Sequence, residues 1–372
     1  MINQERLLNE FLELVQIDSE TKHEAAIAKV IKAKLHELGF TVAEDDAAAK
    51  TGHEANNLIA TLPGTAAGPV IMFSCHMDTV VPGKGVKPVL RDGYVYSDGT
   101  TILGADDKAG IAAVLEAIRT LQEKHLPRPT IQVVITVGEE SGLVGSRAMD
   151  SSLLQAEMGF ILDSDGKVGE IVTAAAGQYR IVSKIYGKAA HAGVNPEEGI
   201  SAITVASKAI SRMPLGRIDA DTTANVGRFE GGKAYNIVSD YAEVWSEARS
   251  LVMEKLEAQV KRMTEAFESA AAEMGARCEN NVMFMYHGYK FDEQTPVVAK
   301  AMAAVRRVGR EPKLVRSGGG SDGNVFNGYG IPTVNFGIGY EQIHTTNERM
   351  PLEELYKASE LVLALVDECV DK

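Results

Sequence analysis

Five short segments of this 372-residue chain carry imidazoles and carboxylates at spacings that could hold cations. Phe73 to Asp78 closes an apolar run, and side chains two apart on a strand share a face, so His76 and Asp78 act together with Cys75 turned away. A metal-bound imidazole commonly donates its second N–H to a carboxylate, the part Asp78 could take. Asp106 and Asp107 stand between Gly104 and Gly110 at the entry to a helix. One aspartate there serves as an N-cap, which leaves its neighbour free to bind something at the carboxyl end of a sheet. Glu139 and Glu140 follow the apolar run Ile131 to Val137, and adjacent carboxylates repel unless a cation lies beside them. Asp163 and Asp165 end the run Phe160 to Leu162, with Asp163 the first acid after it, and His344 in Ile343 to Glu348 supplies a second imidazole. Taken singly, these are a satisfied strand or loop histidine, a helix cap and a solvated acidic turn. Together, two histidines and several carboxylates at the ends of successive strands suit a pair of divalent ions of the zinc, manganese or cobalt type.

Such a grouping needs a sheet whose strands end at one edge. Apolar runs alternate with helical patterns in the first half: Val70 to Ser74, a helix near Ala109 to Leu121, Ile131 to Val137, then Phe160 to Leu162. Runs of this kind predict a buried, mostly parallel α/β sheet. An amphipathic helix lies within Met1 to Glu20, and a second follows Thr21 and Glu24, spaced as a capping box, and stops at Gly39. From about Gln178 the rhythm becomes strand (Tyr179 to Tyr186), helix (Ile200 to Met213), two strands (Thr223 to Phe229, Tyr241 to Ala248), helix (Met253 to Met274) and strand (Arg277 to Met285). That βαββαβ order predicts an α+β, ferredoxin-like sandwich. After Gly288 the α/β pattern returns with a helix at Pro296 to Val308, a strand at Ile331 to Phe336 and a helix from Leu352 to Val370. The expected organisation is one α/β domain, residues 1–177 and 289–372, interrupted by an inserted domain, residues 178–288.

Composition narrows the partners. Lys and Arg number 38 against 51 Asp and Glu, a net charge of −13, which argues against nucleic acid or an anionic membrane. With 45% hydrophobic and 24% charged residues, the chain is an ordinary folded protein. The longest apolar stretches, such as Leu361 to Val366, fall far below the roughly 20 residues of a membrane span, and the first residues lack a signal-peptide pattern. Cys75, Cys278 and Cys369 are widely spaced and form no C-x-x-C pair, so a disulfide framework and a thiolate zinc site are both excluded. A reducing, cytoplasmic setting is expected.

Over essentially its whole length the chain resembles the M20 family of co-catalytic metallopeptidases, the peptidase T-like branch in particular. The resemblance implies a Zn-exopeptidase-like catalytic domain with an inserted lid, binding two divalent ions, zinc foremost and manganese or cobalt in its place. It implies His76, Asp106, Glu140, Asp163 and His344 as metal ligands, Asp106 bridging both ions before a cis Asp106–Asp107 bond. Asp78 then orients His76, and Glu139 is the general base. In the lid, His191 resembles the oxyanion-stabilising histidine, Asn236 and Arg249 the pair that holds the substrate carboxylate, and Gly318, Gly319 and Gly320 the loop on which substrate packs. The implied activity is hydrolysis of short peptides by an aminopeptidase or tripeptidase, compatible with a homodimer through the lid.

Within the family, an N-acyl amino acid deacylase would use the same metals, base and clamp. Outside it, Gly319 to Gly323 satisfies G-x-S-x-G with His344 downstream, but only 20 positions separate Ser321 from Glu341, the last acid before that histidine. The stretch also matches a dinucleotide fingerprint, too near the C-terminus for a nucleotide-binding half to follow. A non-catalytic metal or peptide binder is disfavoured by Glu139, which ligates nothing in the family pattern.

Overall fold

Strands Ile71–His76, Ile131–Thr136 and Thr333–Gly337 are buried along their whole length, as near-continuous apolar runs covered on both faces must be. The computed structural model, which describes residues 2–371, orders one sheet as Thr41–Glu44, Leu58–Leu62, Ile131–Thr136, Ile71–His76, Met158–Ser164, Thr333–Gly337 and Glu170–Ala175. The four central strands are parallel, and the outer pairings are antiparallel. Alternation along Ile71–His76 sends Ile71, Phe73 and Cys75 into the larger core, shared with helices Gln4–Val15, Ala105–Glu123, Pro296–Arg307 and Leu352–Glu368. Met72 points to the smaller core, with Met149, Phe326 and Ile331. Each such apolar side chain contributes about 1.5–3 kcal/mol by leaving water. One consequence matters for chemistry: the carboxyl ends of four adjacent parallel strands meet at a single edge.

The chain forms two compact units. The first holds the residues up to Thr173, Phe291–Arg316 and those from Ser321 onward; the second holds Ala174–Lys290 and Ser317–Gly320. The second unit has the strand order Gly216–Arg217, Thr222–Gly231, Tyr241–Ser250, Gly177–Tyr186, Arg277–Tyr286, all antiparallel. Helices Ala202–Arg212 and Met253–Met274 bury Val205, Ala209, Leu256, Met263 and Phe267 in its core with Ile181, Ile185 and Val244. This is the ferredoxin-like arrangement that the sequence rhythm predicts.

Three features depart from expectation. Ser317–Gly320 goes with the second unit, although sequence alone groups it with the first. A small three-stranded sheet of Val89–Arg91, Tyr94–Tyr96 and Arg349–Pro351 went unseen, its strands being too short to show a period. Thr21 and Glu24 do not form a capping box, because helix Ala25–Glu37 starts at Glu24 without a side-chain cap. Both of those side chains are used elsewhere.

Candidate active site

His76 ends its strand with its side chain 1% exposed, where an imidazole must find polar partners on both nitrogens. Nδ1 lies 2.9 Å from the Asp78 carbonyl and 3.5 Å from Asp78 Oδ1. Nε2 lies 2.9 Å from Asp106 Oδ1 and 3.7 Å from Asp163 Oδ1. His344 approaches the same aspartate from the loop after Thr333–Gly337: its Nε2 is 3.4 Å from Asp106 Oδ2 and 2.9 Å from Glu140 Oε1. The two oxygens of Asp106 thus face two different imidazoles.

Asp106 and Asp107 open helix Ala105–Glu123 but keep non-helical backbone angles, and the peptide bond between them is cis. Neither caps the helix. That task falls to Glu348, buried, whose carboxylate accepts the N–H groups of Leu103 (2.8 Å), Gly104 (2.7 Å) and Asp106 (3.0 Å). Replacing Glu348 with Ala strands three buried donors at the base of Asp106, and each unmet donor costs about 1–3 kcal/mol. Denaturant unfolding is therefore expected to show a loss of at least about 3 kcal/mol, with metal affinity reduced; a change below about 1 kcal/mol would contradict the capping role.

Asp78 does more than touch His76. Its Oδ1 accepts the N–H of Glu139 at 3.0 Å, its Oδ2 that of Glu140 at 3.3 Å, and the Thr21 hydroxyl donates to Oδ2 at 2.7 Å. Asp163 is held from behind by Asn335, whose Oδ1 accepts the Asp163 N–H and whose amide donates to its carbonyl, while the Tyr340 hydroxyl donates to Oδ1 at 3.0 Å. Asp322, buried, accepts from Thr136 and Ser146, both at 2.5 Å. Sequence reasoning missed Thr21, Glu348, Asn335, Tyr340 and Asp322. Asn335 carried a signal, as a polar residue within an apolar strand.

Charges in this cleft are strongly mutually perturbed. Burial, followed by the charge of Asp163, pushes Glu139 well above the usual carboxylate range. Asp163 itself is raised to about 7, first by burial, with contact to His76 offsetting part and Asp106 adding to it. Burial would raise Asp106 too, but His344 and His76 outweigh it and hold the carboxyl below its ordinary value. Contacts with Asp106 and then Glu140 raise His344 to about 10. A field that keeps protons on imidazoles is one that divalent cations would neutralise. Two overlapping sets, His76–Asp106–Glu140 and His76–Asp107–Asp163, bring one donor atom from each member within 4.8 Å. Asp107 Oδ1 is buried with no partner, a further free lone pair at the site. All-N/O donors of this kind fit zinc, manganese or cobalt. Glu139 and His344 belong to neither set; His344 reaches the group through Asp106 and Glu140.

The other residues singled out from sequence lie in the second unit. His191 is exposed in a loop bridged to Ile237, and the Ala192 N–H reaches the Asn236 carbonyl at 2.9 Å, so His191 and Asn236 are brought together. Arg249 is partly buried, its Nε and Nη2 each 3.1 Å from the Glu247 carboxylate and its Nη1 donating to the Gly318 carbonyl at 3.2 Å. Gly320 lies on the Tyr286 ring, where a Cβ would come within 2.4 Å of a ring carbon. Gly318 and Gly319 are exposed.

Parallel strands ending in shared carboxylates and imidazoles, interrupted by an α+β insert, define the class as a metallopeptidase. The chain belongs to peptidase family M20/M25/M40, whose model matches residues 72–368. It is 60% identical to YqjE of Bacillus subtilis over 368 residues, 99% of each chain. Among solved structures it is similar to the aminopeptidase PepT of Bacillus cereus, at 60% identity, TM-score 0.95 and 99% coverage of both chains. A tripeptidase of Staphylococcus aureus is also similar, at 50% identity, TM-score 0.95 and 98% coverage of both. No described helix is long and apolar enough to cross a membrane.

Proposed function

We propose that this chain is a metal-dependent exopeptidase that releases amino acids from short peptides, in the manner of a tripeptide aminopeptidase. The observation that carries this reading is the Asp106 carboxylate shared between His76 and His344, with Glu139 buried in the field of Asp163 and His76. The names of the Bacillus cereus and Staphylococcus aureus structures support the peptide substrate. His76 and Asp163 would hold one divalent ion, Glu140 and His344 the other, and Asp106 both. Bound there, the ions would lower the pKa of water and polarise the scissile carbonyl.

Glu139 takes a proton from the attacking water and returns it to the leaving amine, work for which a buried carboxyl with a raised pKa is suited. Asp78 fixes the His76 ring and, through two N–H groups, the backbone of the base. His191 stabilises the oxyanion. Asn236 and Arg249 hold the substrate's free carboxylate, Arg249 through the guanidinium edge that its fork pairing with Glu247 leaves over. Gly318 to Gly320 let substrate approach backbone closely. Three free cysteines fit a reducing cytoplasm.

A hydrolysis panel of tripeptides, dipeptides and N-acetyl amino acids, with and without chelator, tests this. Tripeptides should be cleaved and chelation should abolish cleavage; activity confined to N-acyl substrates would move the assignment to the deacylases. Full activity under chelation, lost to a serine-directed phosphonate, would defeat the metal reading. In the same panel, Arg249→Ala should raise KM for peptides with a free C-terminus at least about tenfold more than for their amides, because only the former lose a charge-assisted pair. Equal effects on both would remove Arg249 from the clamp.

A further inference from the structure

The Thr21-x-x-Glu24 spacing signals a helix cap, yet Thr21 is spent on Asp78 and Glu24 turns inward. Its side chain is fully buried, and Oε1 accepts the Lys22 N–H at 3.0 Å and lies 3.7 Å from Nε2 of His53, whose side chain is 2% exposed. Glu24 Oε2 and His53 Nε2 have no hydrogen-bond partner. Both groups sit under the turn that carries Glu139. Gly138, at φ +58°, lies so close to the imidazole that a Cβ would fall 2.4 Å from His53 Nε2.

The proton on this pair follows from its neighbours. Thr51 spends its hydroxyl hydrogen on the Ala47 carbonyl at 2.7 Å, so its oxygen accepts from His53 Nδ1 at 2.8 Å. In a neutral ring, Nε2 is then a lone pair 3.7 Å from a carboxyl oxygen, outside hydrogen-bond distance, and a proton on either group relieves the repulsion between the two acceptors. Burial raises Glu24 to about 7, partly offset by the Lys22 N–H and reinforced by the charge of Asp78, and burial lowers His53, with Asp78 opposing that shift and Lys22 adding to it. One proton, on either group, leaves the pair without net charge. Hydrocarbon of the same volume would be as stable or more so, so stability alone does not account for two ionisable groups here.

We propose that Glu24 and His53 form a buried positioning pair that fixes the Gly138–Glu139 turn and thereby aims Glu139. The inference rests on Glu139 being the base. Beyond Gly138 the turn is already pinned: Asp78 holds the N–H groups of Glu139 and Glu140, and the Glu139 carbonyl accepts from Gly142 (2.9 Å) and Leu143 (2.8 Å). On the Gly138 side the carbonyl accepts from the Val144 N–H (3.1 Å) and the Ser141 hydroxyl (3.0 Å), and the pair adds the close packing of the His53 ring against this residue.

The test is steady-state kinetics of the metal-loaded enzyme on a tripeptide, with metal content and thermal unfolding followed in every variant. His53→Leu and Glu24→Leu, which fill the space without polar contact, should lower kcat about 10- to 100-fold, the usual cost of losing outer-shell support, with KM little changed and metal content intact. Glu24→Gln should recover most of that loss, since its amide oxygen still accepts the Lys22 N–H and its shape keeps the packing on His53. Undiminished kcat in a folded His53→Leu, or Glu24→Gln falling as far as Glu24→Leu, overturns the proposal. If His53→Leu does not fold, Gly138→Ala reads the contact from the other side, with its added Cβ also meeting Val144 at 2.6 Å and strained at φ +58°, so that only the part of the loss tied to His53 is diagnostic. Its loss of kcat should be partly restored by adding His53→Ala, and strictly additive losses count against the pair. Glu139→Gln in the same series separates the two ideas: if it is inactive while the pair variants are not, only the pair falls, and if it is active the base assignment fails first.

Discussion

Glu139→Gln is expected to lower kcat on tripeptides by about 10²- to 10⁴-fold, the range that a positioned general base contributes. KM and metal content should stay close to wild type, because the proposed ligand set does not include Glu139 and the amide preserves its shape. Stability should hold or rise. Burial and the charge of Asp163 push the Glu139 carboxyl well above its ordinary range, so the native protein keeps this acid at a cost that a neutral isostere does not carry. Activity lost without destabilisation marks a residue retained for chemistry. Retention of activity within about tenfold would mean that another group accepts the proton.

Why the base and the ligands were legible in sequence, while their supports were not, follows from distance along the chain. His76 and Asp163 lie at the ends of apolar strands, Glu139 and Glu140 just beyond one that closes at Thr136, and a polar group at such a place is visible without knowing its partner. Thr21 was misread because T-x-x-E is the signature of a cap, and its real partner, Asp78, is 57 residues away. Glu348 stood in a segment already singled out for His344, but its work on the N–H groups of Leu103 and Gly104 depends on a loop brought back across more than 240 residues. Ser317–Gly320 goes with the second unit through contacts such as Gly320 on Tyr286, which no local pattern encodes. Periodicity reports elements and the ends of elements; it does not report which long-range partner a side chain finds. The parallel core and the ferredoxin-like insert were readable for the complementary reason, since their strands and helices are long enough to show a period.

The largest effect is expected from Asp106→Asn. Asp106 is the one side chain whose two oxygens address both imidazoles, at 2.9 Å from His76 and 3.4 Å from His344. An amide keeps one such oxygen, turns the other into a donor and removes the negative charge that would lie between two dications. Bound metal should fall from two ions per chain to one or fewer after dialysis, measured by elemental analysis. Hydrolysis should fall at least about 10³-fold, since the lost charge stabilisation amounts to several kcal/mol and each 1.4 kcal/mol is a factor of ten. The decisive control is its neighbour. Asp107 also reaches the site, through its set with His76 and Asp163, but one of its oxygens already accepts the His76 backbone N–H at 3.3 Å and the other is buried with no partner. Asp107 faces only one imidazole's set and spends part of one oxygen on backbone, whereas Asp106 faces both imidazoles, so Asp107→Asn should keep both ions while weakening their hold. If Asp107→Asn instead loses an ion and Asp106→Asn keeps two, the bridge belongs to Asp107. The shared position of Asp106 would then reflect only the hydrogen bonds it makes to two histidines.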